Sequence, residues 1–248
     1  MERFRGKSAI VSGSGAGIGA ATAEELLKAG INVVGLDMNE EKLQVVNKKL
    51  NSKGYSGKFF WKKCNVCLKE DIVETFKFVN DLIGPVWVLI NCAGVLPRTS
   101  LLDADTEKID KTFDTNVKGL LLCAQEAIKY MIQNSVEGHV ININSINGHY
   151  IRNRPEISET MIYAASKHAV TVLTEGLRQE MVKRNIKIKF TSISPGGVET
   201  ELTASETRPK PADTQVLQPV HVAQACIAAL NTPPNVLVRI FHILLLRK

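Results

Sequence analysis

Tyr163 and Lys167, in the run Tyr163-Ala164-Ala165-Ser166-Lys167, stand four residues apart within a helical pattern, which puts both on one helix face. A cation held beside a phenol favours the phenolate and brings tyrosine proton transfer nearer neutral pH. Taken alone, such a pair is ordinarily a surface contact. Ser145 closes a strand-like run, Ile143-Asn144-Ser145-Ile146-Asn147-Gly148. The carboxyl ends of strands border the ligand crevice of an open α/β sheet, so a hydroxyl there can hold a substrate oxygen or simply cap a turn. Asn116 falls inside a long helical pattern, where asparagine is a mediocre helix former. It is either a tolerated surface residue or a polar group serving a local kink or a water.

A second group of residues could hold an anion. Between a strand and a helix lies Ser12-Gly13-Ser14-Gly15-Ala16-Gly17-Ile18-Gly19. Glycines at 13, 15, 17 and 19 let the backbone turn tightly and approach a pyrophosphate, whose charge sits at the helix N-terminus. Such a cluster gains weight from this strand–loop–helix context. Asp37 ends the second strand, where a carboxylate accepts from adenosine ribose hydroxyls and repels a 2′-phosphate, or else caps a turn. No arginine occurs at 13–19 or at 38. NAD is therefore expected rather than NADP.

The elements that must position these residues alternate along the chain. Strands are predicted at Ser8–Ser12, Asn32–Leu36, Lys58–Cys64, Val86–Asn91, His139–Ser145, Lys187–Ser194 and Val236–His242. Helices are predicted at Gly17–Ala29, Glu40–Ser52, Lys69–Leu82, Thr106–Gln133, Glu159–Arg184 and Val220–Leu230. Several strands are unbroken Val/Ile/Leu runs, as parallel strands covered on both faces require. The fold class is therefore α/β: a single Rossmann-type, doubly wound domain over residues 1–248, with a seven-stranded, mostly parallel sheet and helices on both faces.

Bulk properties agree. A chain of 248 residues, 44% hydrophobic and 23% charged, buries its own core without staples. Five cysteines are spread singly, and Cys64-Asn65-Val66-Cys67 lacks partners at metal-ligand spacing, so reduced thiols and no metal are expected. The +6 net charge is scattered rather than striped, which speaks against nucleic acid. There is no secretory pattern and no run long enough for a membrane span, so a cytoplasmic protein is expected.

Together and in this order, these pieces resemble the short-chain dehydrogenase/reductase family across nearly the whole chain. The family pattern Thr-Gly-x-x-x-Gly-x-Gly, Asn-Asn-Ala-Gly, Asn, Ser, Tyr-x-x-x-Lys, Pro-Gly is matched by Ser12-Gly13 through Gly19, Asn91-Cys92-Ala93-Gly94, Asn116, Ser145, Tyr163 with Lys167, and Pro195-Gly196. The resemblance implies hydride transfer between a nicotinamide and an alcohol or carbonyl. Tyr163 would be acid/base, Ser145 would hold the substrate oxygen, and Lys167 would lower the Tyr163 pKa and bind the nicotinamide ribose. Asn116 would fix a water linking Lys167 to solvent. Gly13, Ser14, Gly15, Gly17, Ile18, Gly19, Asp37, Asn65, Val66, Asn91, Ala93, Gly94, Pro195, Gly196, Val198 and Thr200 would contact the cofactor.

The chain departs from the pattern at Ser12, at Cys92 and at Asn65, which stands where Asp is usual. Asn65 still offers an amide oxygen to adenine. Stretches such as Leu173-Thr174-Glu175-Gly176-Leu177-Arg178 are similar to an animal cytosolic branch that includes insect farnesol dehydrogenases. That branch commonly carries Arg pairs after the second strand and uses NADP, whereas here Asp37-Met38-Asn39 stands, which implies a switch to NAD. The spacing from Ser145 to Tyr163 is longer than usual, predicting an extended loop over 149–157 at the substrate entrance. A polar lid is expected over 201–217. The branch suggests a medium-sized apolar alcohol, isoprenoid, retinoid or steroid-like, and the family a homodimer or homotetramer. A non-catalytic NAD-binding sensor or scaffold is the alternative; Asn116, Ser145, Tyr163 and Lys167 together argue against it.

Overall fold

The computed structural model describes residues 1–151, 159–204 and 216–245. Seven strands form one sheet: β1 Ser8–Ser12, β2 Asn32–Asp37, β3 Phe59–Lys63, β4 Val86–Asn91, β5 His139–Ile143, β6 Lys189–Pro195 and β7 Ile240–Ile243. Their spatial order is β3-β2-β1-β4-β5-β6-β7, and every pairing is parallel. β1, β5 and β6 are buried at every position, as their unbroken apolar runs demand. The order reverses at β1, which pairs with both β2 and β4. A crevice must therefore open beyond the carboxyl ends of those strands.

The helices are α1 Gly17–Lys28, α2 Glu40–Asn51, α3 Lys69–Ile83, α4 Thr106–Phe113, α5 Leu120–Gln133, α6 Met161–Lys183, α7 Glu201–Ala204 and α8 Pro219–Leu230. One apolar core lies beneath α1 and α8, with Ala23, Leu26, Val222 and Cys226 packed on Val11 and Ile90. The other lies on the opposite face beneath α3, α5 and α6, where Phe76, Ala127 and Leu177 meet Ile10 and Leu89. Each strand thus sends alternate side chains to opposite cores.

The single long helix predicted over Thr106–Gln133 is in fact two, joined by a π-helical segment at Asp114–Gly119. The extra residue per turn is accommodated where Asn116 turns its side chain inward, a common cause of a local break in the helical ladder. Ser145 does not end β5. It caps the 3-10 turn Ile146–Gly148, its hydroxyl accepting from the Asn147 amide at 3.1 Å, a local bond that competes with the strand ladder. The expected 149–157 loop lies largely outside the described residues, as does most of the lid after Ala204.

Candidate active site

The turn after β1 is built around close approaches. Ser12 Oγ accepts from the amides of Cys92 at 3.1 Å and Ala93 at 3.2 Å, tying the ends of β1 and β4 together. Gly13 has φ +67°, and a Cβ on Gly19 would lie 2.0 Å from the Gly13 carbonyl oxygen. Neither position admits a side chain. The chain then enters α1 through an extended Ala16 whose side chain caps nothing. The first amides of α1 are left for a ligand or solvent, which is how helix N-termini hold anions.

A cleft of about 1100 Å³ opens here. Of the expected cofactor contacts, Gly13, Gly17, Ile18, Gly19, Asp37, Asn65, Val66, Ala93, Gly94 and Thr200 line it. Asp37 receives the Gly15 amide at 3.0 Å and the Asn39 amide at 2.9 Å, which fixes its carboxylate at one end of the cleft. Asn65 Oδ1 accepts from the Cys67 amide at 3.0 Å, so one lone pair of that oxygen holds a turn.

Other expected contacts are placed elsewhere. Ser14 is fully buried, its hydroxyl donating to the Leu36 carbonyl at 3.4 Å. Asn91 is buried too, its amide donating to Leu120 O at 3.2 Å and to Asn142 Oδ1 at 3.0 Å. Both reinforce the sheet end. Pro195 ends β6, the Gly196 amide donates to Ile243 O at 2.9 Å, and Val198 is buried in a bridge to Leu217.

Asn116, Ser145, Tyr163 and Lys167 meet around the start of α6. Asn116, 1% exposed, accepts from the Val95 amide at 2.8 Å. It donates to Val95 O at 3.0 Å and to Ser166 Oγ at 3.0 Å. Ser166 in turn donates to the Tyr163 carbonyl at 2.7 Å, so Asn116 connects a cleft-lining segment to α6. Lys167 is buried and donates to the Ile143 carbonyl at 2.8 Å, its Nζ 5.6 Å from the centre of the Tyr163 ring. The Ser145 side chain acts on the Tyr163 phenol in the sense that lowers its pKa. The fold thus places these four residues near one another.

The electrostatics differ from the expectation that Lys167 lowers the tyrosine. Burial pushes the Tyr163 phenol up to about 12, with the Ser145 hydrogen bond offsetting only part of that. Burial likewise draws the Lys167 ammonium down to about 8. Loss of water costs each charged form more than the pair returns at this separation. The neutral phenol is thus the resting form.

The five cysteines are free, as expected, and burial pushes the cleft-lining Cys92 thiol up to about 12. Among the described residues no group of three or more His, Cys, Asp or Glu could hold a metal, and no helix is long and apolar enough to cross a membrane. Sequence reasoning missed His149, whose Nε2 lies 2.8 Å from Ser194 Oγ and whose ring stands edge-on to His242 at 4.6 Å. It also missed Lys42 and Glu201, which line the cleft from opposite sides. A lone His or a charged residue in a helix's first turn carries no spacing signal.

The site thus combines a glycine turn at the switch point of an open α/β sheet with Ser145, Tyr163, Lys167 and Asn116 grouped nearby. The chain belongs to the short chain dehydrogenase family, whose profile matches residues 7–211. It is 40% identical over 237 residues to a farnesol dehydrogenase of Aedes aegypti, covering 95% of this chain and 94% of that protein. It is 38% identical to dehydrogenase/reductase SDR family member 11 of Bos taurus over 244 residues, covering 95% and 94%. Among solved structures, an alcohol dehydrogenase from the archaeon Thermococcus sibiricus, complexed with 5-hydroxy-NADP, superimposes with TM-score 0.83 at 21% identity over 96% of this chain and 95% of that one. That likeness concerns the fold.

Proposed function

We propose that the chain is an NAD(H)-dependent alcohol dehydrogenase/carbonyl reductase acting on a secondary or allylic alcohol of medium size and apolar character, or its carbonyl. The observation that carries this reading is the grouping of Tyr163 with Lys167, whose Nζ lies 5.6 Å from the phenol ring centre, and with Asn116, which reaches the Tyr163 backbone through Ser166, with Ser145 acting on the same phenol. A dinucleotide fits the cleft: the glycine turn leaves no room for side chains, the uncapped start of α1 faces it, and the Asp37 carboxylate stands at its end. NAD fits better than NADP because Asp37 would repel a 2′-phosphate. Several fold neighbours are complexed with NADP, so the preference rests on this chain's own residues.

When bound, the nicotinamide supplies the hydride-accepting and hydride-donating carbon. The chain does the rest. Tyr163 Oη, a neutral phenol at rest, gives its proton to the carbonyl oxygen during reduction; in oxidation its own proton passes first to solvent, and the phenolate then takes the alcohol proton. The Ser145 hydroxyl holds the substrate oxygen and stabilises its developing charge, preorganised by the Asn147 amide. Lys167 places a positive charge beside the phenol as it ionises. A neighbouring recess of about 420 Å³ has one apolar side, Val95, Leu96, Pro97 and Leu202, and one charged side, Asp105, Glu107, Lys108 and Lys111; the apolar substrate class is supported by the similarity to a farnesol dehydrogenase. A cytoplasmic homodimer or homotetramer is proposed with it; exposed Ile132, Val172 and Val182 on α5 and α6 support pairing.

The test is Tyr163→Phe with NAD and a panel of alcohols. Turnover falls by a factor on the order of 10²–10⁴, while NAD binding is retained. Unchanged alcohol-dependent NADH formation refutes the mechanism. A wild-type preference for NADP refutes the Asp37 argument.

A further inference from the structure

Lys42, in the first turn of α2, and Glu201, at the start of α7, form an ion pair across the mouth of the cleft, Nζ to Oε2. Both line the cleft. Lys42 lies at the Asp37 end: a Cβ built on Gly15 would meet the Asp37 carboxylate at 2.8 Å and the Lys42 Cβ at 3.0 Å. Its flexible four-carbon stem lets the ammonium reach the space in front of that carboxylate. The other cation of this wall is Lys63, the neighbour of Asp37 in register on β3. Glu40 and Glu41 complete the collar on the α2 side.

Lys42 is thus a cation at the Asp37 end of the cleft, and the Glu201 carboxylate already engages it. We infer that Glu201 is a cofactor-selecting residue: by engaging Lys42 it withholds that ammonium from a 2′-phosphate and adds its own negative charge beside Asp37. Selection against the phosphate is then divided between the end of β2 and the lid, an instance of specificity built by repulsion. It also joins the lid's first turn to α2, so the lid helps set the charge of the adenosine pocket. This inference rests on the NAD reading above.

The experiment is a double-mutant cycle read by calorimetric Kd for NAD+ and NADP+, with kcat/KM ratios as a second readout. Comparing the two cofactors within each variant cancels any general disturbance of the lid. Glu201→Gln shifts the Kd ratio toward NADP+ by about tenfold, the low end for one charge-assisted contact at a half-exposed site. Adding Lys42→Gln abolishes the shift, while adding Lys63→Gln leaves it. An unchanged ratio in Glu201→Gln overturns the inference. So does a shift that survives Lys42→Gln, because the gain then owes nothing to the freed ammonium. If the wild type itself prefers NADP+, the NAD reading fails, yet a Lys42-dependent shift in Glu201→Gln still supports the assignment of Glu201.

Discussion

Replacing Lys167 by Met removes a charge that the fold holds at a cost, and pH exposes that cost. Lys167 is 5% exposed, and burial draws its pKa from 10.5 to about 8. At about 1.36 kcal/mol per pH unit, that difference amounts to roughly 3 kcal/mol against the charged form. The bond to the Ile143 carbonyl is worth about 1.5–3 kcal/mol, being donated by a charged group. Below pH 8 the two nearly cancel, so Lys167→Met is expected to be within about 2 kcal/mol of wild type, on the stabilised side.

The pH dependence is sharper. Because the folded pKa lies below the unfolded one, the unfolded chain binds more protons between pH 8 and pH 10.5. Stability of the wild type therefore rises with pH through that window. Relative to Lys167→Met it gains about 2 kcal/mol between pH 7 and pH 9.5, and the variant gains nothing from this site. Urea unfolding of both proteins at the two pH values measures the difference, since groups shared by the two chains cancel. Parallel pH profiles would show that Lys167 is not desolvated as its burial implies.

Two further outcomes follow from buried polar groups. Ser12→Ala leaves the Cys92 and Ala93 amides without their acceptor and should lower the unfolding free energy by about 2 kcal/mol, seen as a lower urea midpoint at unchanged slope. Ser12→Thr, which keeps the oxygen, should recover most of it; equal losses in the two variants would count against this role. His139 is 1% exposed and burial holds it down to about 3, so below pH 6.5 the unfolded chain takes up a proton the fold refuses. Stability should fall by about 3 kcal/mol between pH 7 and pH 4 relative to His139→Gln, and acid unfolding curves that superimpose would contradict it.

The strands were legible because burial on both faces writes unbroken apolar runs, and β1 and β4 have the predicted limits. Polar side chains decided the exceptions. The seventh strand begins at Ile240 rather than Val236 because the preceding backbone serves side chains instead of a ladder. Lys189 Nζ donates to Val236 O at 2.5 Å, and Thr191 Oγ1 donates to Val238 O at 2.7 Å. Such bonds join residues more than forty positions apart, beyond any local pattern. The site behaved likewise. Tyr163, Lys167, Ser145 and Asn116 could be named from motifs, but the inward turn of Ser14 and Asn91, and the Lys42–Glu201 contact, depend on tertiary neighbours.

Asn116 shows how a residue with a poor local fit earns its place in the fold. In a regular helix it would be a mild liability, and the helix does give way there to a π-helical segment. The break lets one side chain satisfy both backbone groups of Val95 while also holding Ser166. Val95 lines the cleft, and Ser166 bonds the backbone of Tyr163. The cleft wall at Val95 and the helix that carries Tyr163 are therefore fixed to a single amide. An error of about 1 Å between reacting groups can cost a hundredfold in rate. On the proposed mechanism the helical irregularity serves alignment, with the Asn116 side chain bonding the two halves of the site directly.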